Sequence, residues 1–222
     1  MDFLKILRSF EDFVFEAISW LIFYPLTLWR IVRHPLRTMD YSDAEQSQEG
    51  EARYDDAISP PLVLLATLVL ANMVGVALHQ PPPAGNGALL HAIAASPQNL
   101  VLFRSLIFSL IPLTAAVSLI RRRGERLSRE SVRAPFYAQC YLTTPFAGVL
   151  SLAGIFLQQA PGPHPAALAA IVLGLVWFIA AQMAWYRRKL AISWGVAAYL
   201  AIRGLILASL IMIAIFIPIA YI

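Results

Sequence analysis

Residues 136–148 read FYAQCYLTTPFAG and gather Tyr137, Gln139, Cys140, Tyr141, Thr143, Thr144 and Pro145 in a chain otherwise dominated by Ala, Leu, Ile and Val. In a helix, Gln139 and Thr143 are i,i+4 neighbours, as are Tyr137 and Tyr141, and Cys140 and Thr144. Pro145 lacks an N–H and clashes with the carbonyl of Tyr141, which predicts a kink there. Thr hydroxyls help to satisfy carbonyls freed in this way. Two roles are open to the stretch. One is helix packing with polar cross-links, favoured by the small residues Ala147, Gly148, Ser151 and Gly154 that follow. The other is a polar half-span that lines a cavity with Gln139, Tyr141, Thr143, Thr144 and Pro145.

Catalysis finds little support in the residue types. Cys140 is the only cysteine, which excludes an intrachain disulfide and a multi-Cys metal site, and no His stands near it in sequence to activate it. His79, His91 and His164 fall in separate segments without ligand spacing. The chain has no HExxH, GxSxG or phosphate-binding glycine loop and no paired carboxylates. It has no nucleic-acid motif either, and its Arg runs lie beside apolar segments. No catalytic residue, metal, cofactor or nucleic-acid partner is therefore expected.

The elements that hold these residues follow from composition. The chain is 59% hydrophobic and 14% charged, where soluble domains carry about 25% charged residues. Crossing a hydrocarbon core of ~30 Å takes ~20 helical residues. Runs of that length lie at about 61–79, 100–120, 136–158, 166–186 and 194–220. Ser59-Pro60-Pro61, Ser96-Pro97 and Pro163-His164-Pro165 place Pro or a capping residue where spans begin. The segment QPPPAGNG at 80–87 reads as a loop, and Ala88–Ala95 as an apolar stretch too short to cross. The fold class predicted is an all-α integral membrane protein of five transmembrane helices, preceded by an amphipathic interfacial helix.

Charge sets the orientation. Lys5, Arg8, Arg30, Arg33, Arg37 and Arg53 precede the first span; Arg121, Arg122, Arg123, Arg126, Arg129 and Arg133 separate spans two and three; Arg187, Arg188 and Lys189 separate spans four and five. The two other connections, 80–99 and 159–165, carry no Lys, Arg, Asp or Glu. The positive-inside rule then places the N-terminus in the cytoplasm and the C-terminus outside. Asp and Glu are absent from all five spans, which argues against a proton relay built on carboxylates.

Only Arg104 and Arg203 fall within spans. Arg104 lies near an end and can snorkel. Arg203 lies ~15 Å deep if the fifth span starts at Ser193, and would need carbonyls, lipid phosphate, Asn72 or the Gln139/Thr143 pair. Alternatively the span starts at Gly204 and residues 190–203 lie along the interface.

Residues 1–37 form the amphipathic region. Phe3, Ile6, Leu7, Phe10, Phe13, Val14, Ala17, Ile18 and Leu21 share one helical face; Lys5, Arg8, Ser9, Asp12, Glu16 and Ser19 lie opposite. An in-plane helix puts Trp20, Tyr24 and Trp29 at headgroup level and Arg30, Arg33 and Arg37 near lipid phosphates; a sixth span, with Glu16 inside it, is the other option. Residues 38–57 carry seven carboxylates and read as a solvated linker, or as a docking segment or strap folded on the Arg-rich loop. Within that loop, Arg121, Arg122 and Arg123 are candidates for anionic lipid headgroups.

Five spans behind an N-terminal cytoplasmic region resemble the Yip family of Ypt/Rab-interacting membrane proteins and its bacterial relatives. The approach DAISPPLVLL (56–65) is similar to the family's Asp-x-x-Gly-Pro, with Ser59 where Gly is expected. RRRGERLSRESVRAPFYA (121–138) resembles the basic, Gly-containing connector of bacterial members, and CYLTTP (140–145) their third-span Tyr-Ser-x-x-Pro-like motif. The resemblance covers 57–222. It implies a membrane protein that works through partners or lipid organisation, alongside Rab-type GTPases in eukaryotic members. Abundant Ala and Arg in preference to Lys point to a bacterial inner membrane, where a Rab partner would not carry over. The expected function is a non-enzymatic partner-binding or scaffold subunit, with membrane lipids and a membrane-protein partner or second copy around it. The alternative is a small-molecule or lipid transporter, permease-like, working as a single chain or an oligomer.

Overall fold

A computed structural model of the chain describes residues 3–47, 54, 56–81, 85–159 and 164–221, with the side chains of 3–8, 12, 13, 15–17 and 159 outside the description. The polar and apolar sorting expected of Lys5, Arg8, Asp12 and Glu16 therefore lies outside the described residues, as do 48–53 and 55 of the acidic segment. The helices are α1 (Phe3–Arg33), α2 (Pro35–Ser47), α3 (Pro60–Ala77), α4 (Ala88–Ala94), α5 (Pro97–Arg123), α6 (Arg129–Gln159), α7 (Pro165–Leu190) and α8 (Trp194–Tyr221). Five of them, α3 and α5 to α8, are long and apolar enough to span a membrane. The protein is a five-span helical membrane protein. Helices suit that setting because they pair their own backbone groups where water is absent.

Proline starts these helices more than capping does. Pro60, Pro97 and Pro165 occupy first-turn positions of α3, α5 and α7, where a missing N–H costs nothing. Ser59 and Ser96 precede them without a side-chain capping bond; the Ser96 hydroxyl donates to Gln98 Oε1 instead, at 2.7 Å. Pro35 likewise begins α2, and the break from α1 falls on His34, the residue that a following proline pushes out of helical geometry. At the other end of α5, Gly124 adopts a left-handed φ of 71°, a conformation glycine reaches without strain. The last turns of α5 and α7 hold Arg121–Arg123 and Arg187–Lys189, complementing the negative helix ends.

α6 occupies the centre, packed by α3, α5, α7 and α2. α5 and α7 flank it, and α8 packs against both of them. Glycines permit close approach at two of these seams. A side chain at Gly148 would meet Thr67 Cγ2 of α3, and one at Gly174 would meet Val149 Cγ1 of α6. Small residues also form the buried face of α8, through Ala197, Ala201, Gly204 and Ala208, as close packing between membrane helices favours. α4 turns back onto the end of α8, where the amides of Asn86 and Gly87 donate to the Ala220 carbonyl.

The first part of the acidic segment is not a solvated linker. α2 is a helix with Thr38, Met39 and Ser42 buried, and it lies on α6 and α7. Leu36 and Met39 join the main apolar core. Asp40 pairs with Arg188 at 2.6 Å and Lys189 at 3.2 Å, and Asp43 pairs with Lys189 at 2.7 Å. The strap therefore folds against the end of α7, and among the described residues its carboxylates make no ion pair with the Arg-rich loop. The physical reason is a face at helical spacing, buried at Thr38, Met39 and Ser42 and partly buried at Leu36, inside a stretch whose composition looks soluble.

Candidate functional site

The stretch FYAQCYLTTPFAG lies in the middle of α6, which continues without a break through Pro135 and Pro145. Neighbours on every side of this helix turn its polar residues inward. Gln139, Cys140, Tyr141, Thr143 and Thr144 are all 0% exposed, and Pro145 is half-buried. The Tyr141 hydroxyl donates to the Ile58 carbonyl at 2.7 Å, which fixes α6 to the segment leading into α3. The Thr144 hydroxyl donates to the Cys140 carbonyl at 2.8 Å. The carbonyl freed by Pro145 belongs to Tyr141 instead, so Thr144 supports the turn beside the expected one. The amide of Gln139 and the hydroxyl of Thr143 have no hydrogen-bond partner. Sequence spacing had placed these two groups together, and the structure encloses both.

Four tyrosines close the basic end of this core. Tyr54 stacks on Tyr137 at 6.5 Å between ring centroids and meets Tyr141 and Tyr41 edge-on at 6.4 and 6.0 Å. Ser42 and Gln46 of α2 hydrogen-bond the Tyr54 hydroxyl, and the Tyr54 amide donates to Glu45. Burial pushes the Tyr54 phenol above its ordinary range. Tyr41 donates to Asp56 Oδ1 at 2.6 Å, and Arg30 approaches Asp56 Oδ2 at 3.1 Å. The Tyr41 hydrogen bond, followed by Arg30, holds the Asp56 carboxyl below the usual carboxylate range. Burial pushes Asp43 upward, and Lys189 offsets part of that shift. This collar of α1, α2, Tyr54 and Asp56 was not legible as a unit in the sequence.

The remaining predicted residues divide between different partners. Arg30, expected at lipid phosphate, is held by Asp56. Arg33 covers the Trp29 ring at 5.7 Å, and Arg37 is exposed. Tyr24, expected at headgroup level, hydrogen-bonds Thr67 of α3 at 2.9 Å. Asn72 accepts from Arg104 at 3.4 Å, so it serves Arg104 and not Arg203. Those two residues line an open hollow of about 310 Å³ with Gln80 and Pro97, at the end of the bundle opposite the Arg clusters.

For Arg203 the structure follows the first alternative, a span that starts beside Ser193, with different surroundings for the side chain. α8 begins at Trp194 and runs unbroken past Arg203, which therefore sits nine residues, or ~13 Å, along the span. Its side chain is exposed and lines a groove of about 660 Å³ between α5 and α8, together with Arg121 and Arg122. Arg123 turns to Glu125 at 3.6 Å and does not line it.

Further buried polar groups lie on α7. Gln182 Oε1 and Trp185 Nε1 have no partner, and Tyr186 donates to the Ala115 carbonyl of α5 at 3.0 Å. Gln182 and Tyr186 have the same i,i+4 spacing as Gln139 and Thr143, a signal the long apolar run around them concealed. Among the described residues, no three of His, Cys, Asp and Glu approach one another as metal ligands do. No family model, no curated protein and no solved structure matches the chain.

Proposed function

We propose that this protein is a non-enzymatic scaffold or accessory subunit of a bacterial inner membrane, similar in design to the Yip family and acting by holding a membrane-protein partner. The observation that carries this reading is the enclosure of the central helix. From Ala138 to Thr144 every residue of α6 is fully buried, and the α2 strap and tyrosine collar cover its basic end. A carrier would need water or substrate to reach Gln139 and Thr143, and these groups lie behind packed side chains. A lipid-modifying enzyme would need a placed acid or base, and the apolar runs 61–79, 100–120, 136–158, 166–186 and 194–220 contain no carboxylate. What the bundle offers its surroundings is an apolar outer surface, with its basic end on the cytoplasmic side under the positive-inside rule.

Crosslinking in intact membranes, followed by purification in mild detergent and mass spectrometry, tests the proposal. A second membrane protein is expected to recover with the chain in near-stoichiometric amount. Recovery of the chain alone and monodisperse, at crosslinker levels that capture known complexes, would overturn it.

A further inference from the structure

We infer that the groove between α5 and α8 is a binding site for one anionic phospholipid, an inference that goes beyond the scaffold reading and does not depend on it. The groove joins a cationic end to an apolar floor. Arg121 and Arg122 lie on one wall and Arg203 on the other, with the hydroxyl residues Ser118 and Tyr199 between them; Leu207 and Ile211 continue the lining deeper. A phospholipid has the same order of parts: a phosphate, a polar backbone and an acyl chain.

All three Arg side chains line one groove, and helix direction favours their approach. Side chains tilt toward the N-terminus of their own helix. α8 starts at the basic end and α5 finishes there, so Arg203 leans outward toward the Arg cluster while Arg121 and Arg122 lean inward. Among the described residues, none of the three takes part in an ion pair. Asp40 and Asp43 pair with α7, Asp56 with Arg30, and Glu125 with Arg123. Among the described residues, the groove thus holds positive charge that no carboxylate pairs with and no Asp or Glu lines, the arrangement that draws an acidic headgroup to a site between membrane helices.

The groove is also shaped for an acyl chain. Gly204 leaves it open: a Cβ there would meet no atom within 4 Å. The two walls meet at that level, where the Thr114 hydroxyl, 3.0 Å from the Ile111 carbonyl of its own helix, also approaches the Gly204 carbonyl at 3.3 Å. Arg203, Tyr199 and Leu207 are exposed on the flank of a membrane-spanning helix. The occupant therefore arrives sideways from the bilayer, which favours a lipid over a dissolved phosphate.

Native mass spectrometry of the purified full chain in neutral detergent provides the test, using phosphatidylglycerol and phosphatidylcholine of identical acyl chains as probes. Phosphatidylglycerol is expected to bind about tenfold more tightly, the scale of one added charge-assisted contact. Arg203→Gln should remove that preference and Arg203→Lys should keep most of it. Arg126→Gln, an equal charge change outside the groove, should leave it intact. Gly204→Leu should weaken both lipids alike by filling the chain's path without altering charge. Equal binding of the two lipids by the wild type would overturn the proposal. So would an effect of Arg126→Gln as large as that of Arg203→Gln, which would mean diffuse surface charge, or displacement of phosphatidylglycerol by millimolar inorganic phosphate, which would mean a free-anion site. Circular dichroism and elution volume must match wild type for a variant to count, and Arg203→Lys against Arg203→Gln still decides if Gly204→Leu fails to fold.

Discussion

Tyr141 joins the centre of α6 to the chain just before α3, with its hydroxyl on a carbonyl 83 positions away in sequence. Both groups are buried, so Tyr141→Phe removes a donor and leaves the Ile58 carbonyl without one. The expected loss is about 1–3 kcal/mol, the cost of an unsatisfied buried group, read as a lower midpoint of denaturant unfolding in detergent micelles. An unchanged midpoint would mean that water replaces the phenol and that the core is wetter than its burial implies. The stretch around Tyr141 stood out in the sequence for its polar residue types. Its enclosure did not, because Tyr54, Met39 and Ile58 cover it from positions more than 80 residues earlier.

The collar is the element whose behaviour depends on pH. Asp56 is held below the ordinary carboxylate range by Tyr41 first and Arg30 second. A group lowered in the folded state stabilises that state above its unfolded pKa, near 4 for Asp, and the contribution is lost as pH falls through the folded value. Asp43 carries the opposite sign, since burial raises it and its protonation favours the folded collar. Protection of the α2 amides, taken relative to their intrinsic exchange rate at each pH, should therefore fall as Asp56 protonates below about pH 4, and Asp56→Asn should flatten that acid response. Parallel acid responses in the variant and the wild type would assign the effect to another group. Helix starts at Pro60, Pro97 and Pro165 were readable from the sequence because proline acts locally. α2 was not, because a buried stripe of three residues is outweighed by the acidic composition around it. Only the packing of α6 and α7 shows which face of α2 is inside.

At the scale of the whole molecule, five apolar runs translate directly into five spanning helices, since length and hydropathy suffice for that inference. What the runs do not encode is who neighbours whom. The α5–α8 groove unites Arg121 with Arg203, 82 positions apart, and neither residue identifies the other. The central position of α6 carries the proposed function: the enclosure of Ala138–Thr144 supports a helix that holds the bundle together over one that lines a path. The chain contains its own probe for this in Cys140, which is unique, 0% exposed and located one residue from Gln139. The direct measurement is alkylation of Cys140 by a water-soluble maleimide with access to both faces of native membranes, compared with Ser128→Cys in the exposed loop of the same chain. The enclosed bundle predicts no reaction at Cys140 until the protein is unfolded in dodecyl sulfate, while position 128 labels readily. Labelling of Cys140 at a rate close to that of position 128 would contradict the account and establish a water-filled cavity at the centre of the protein.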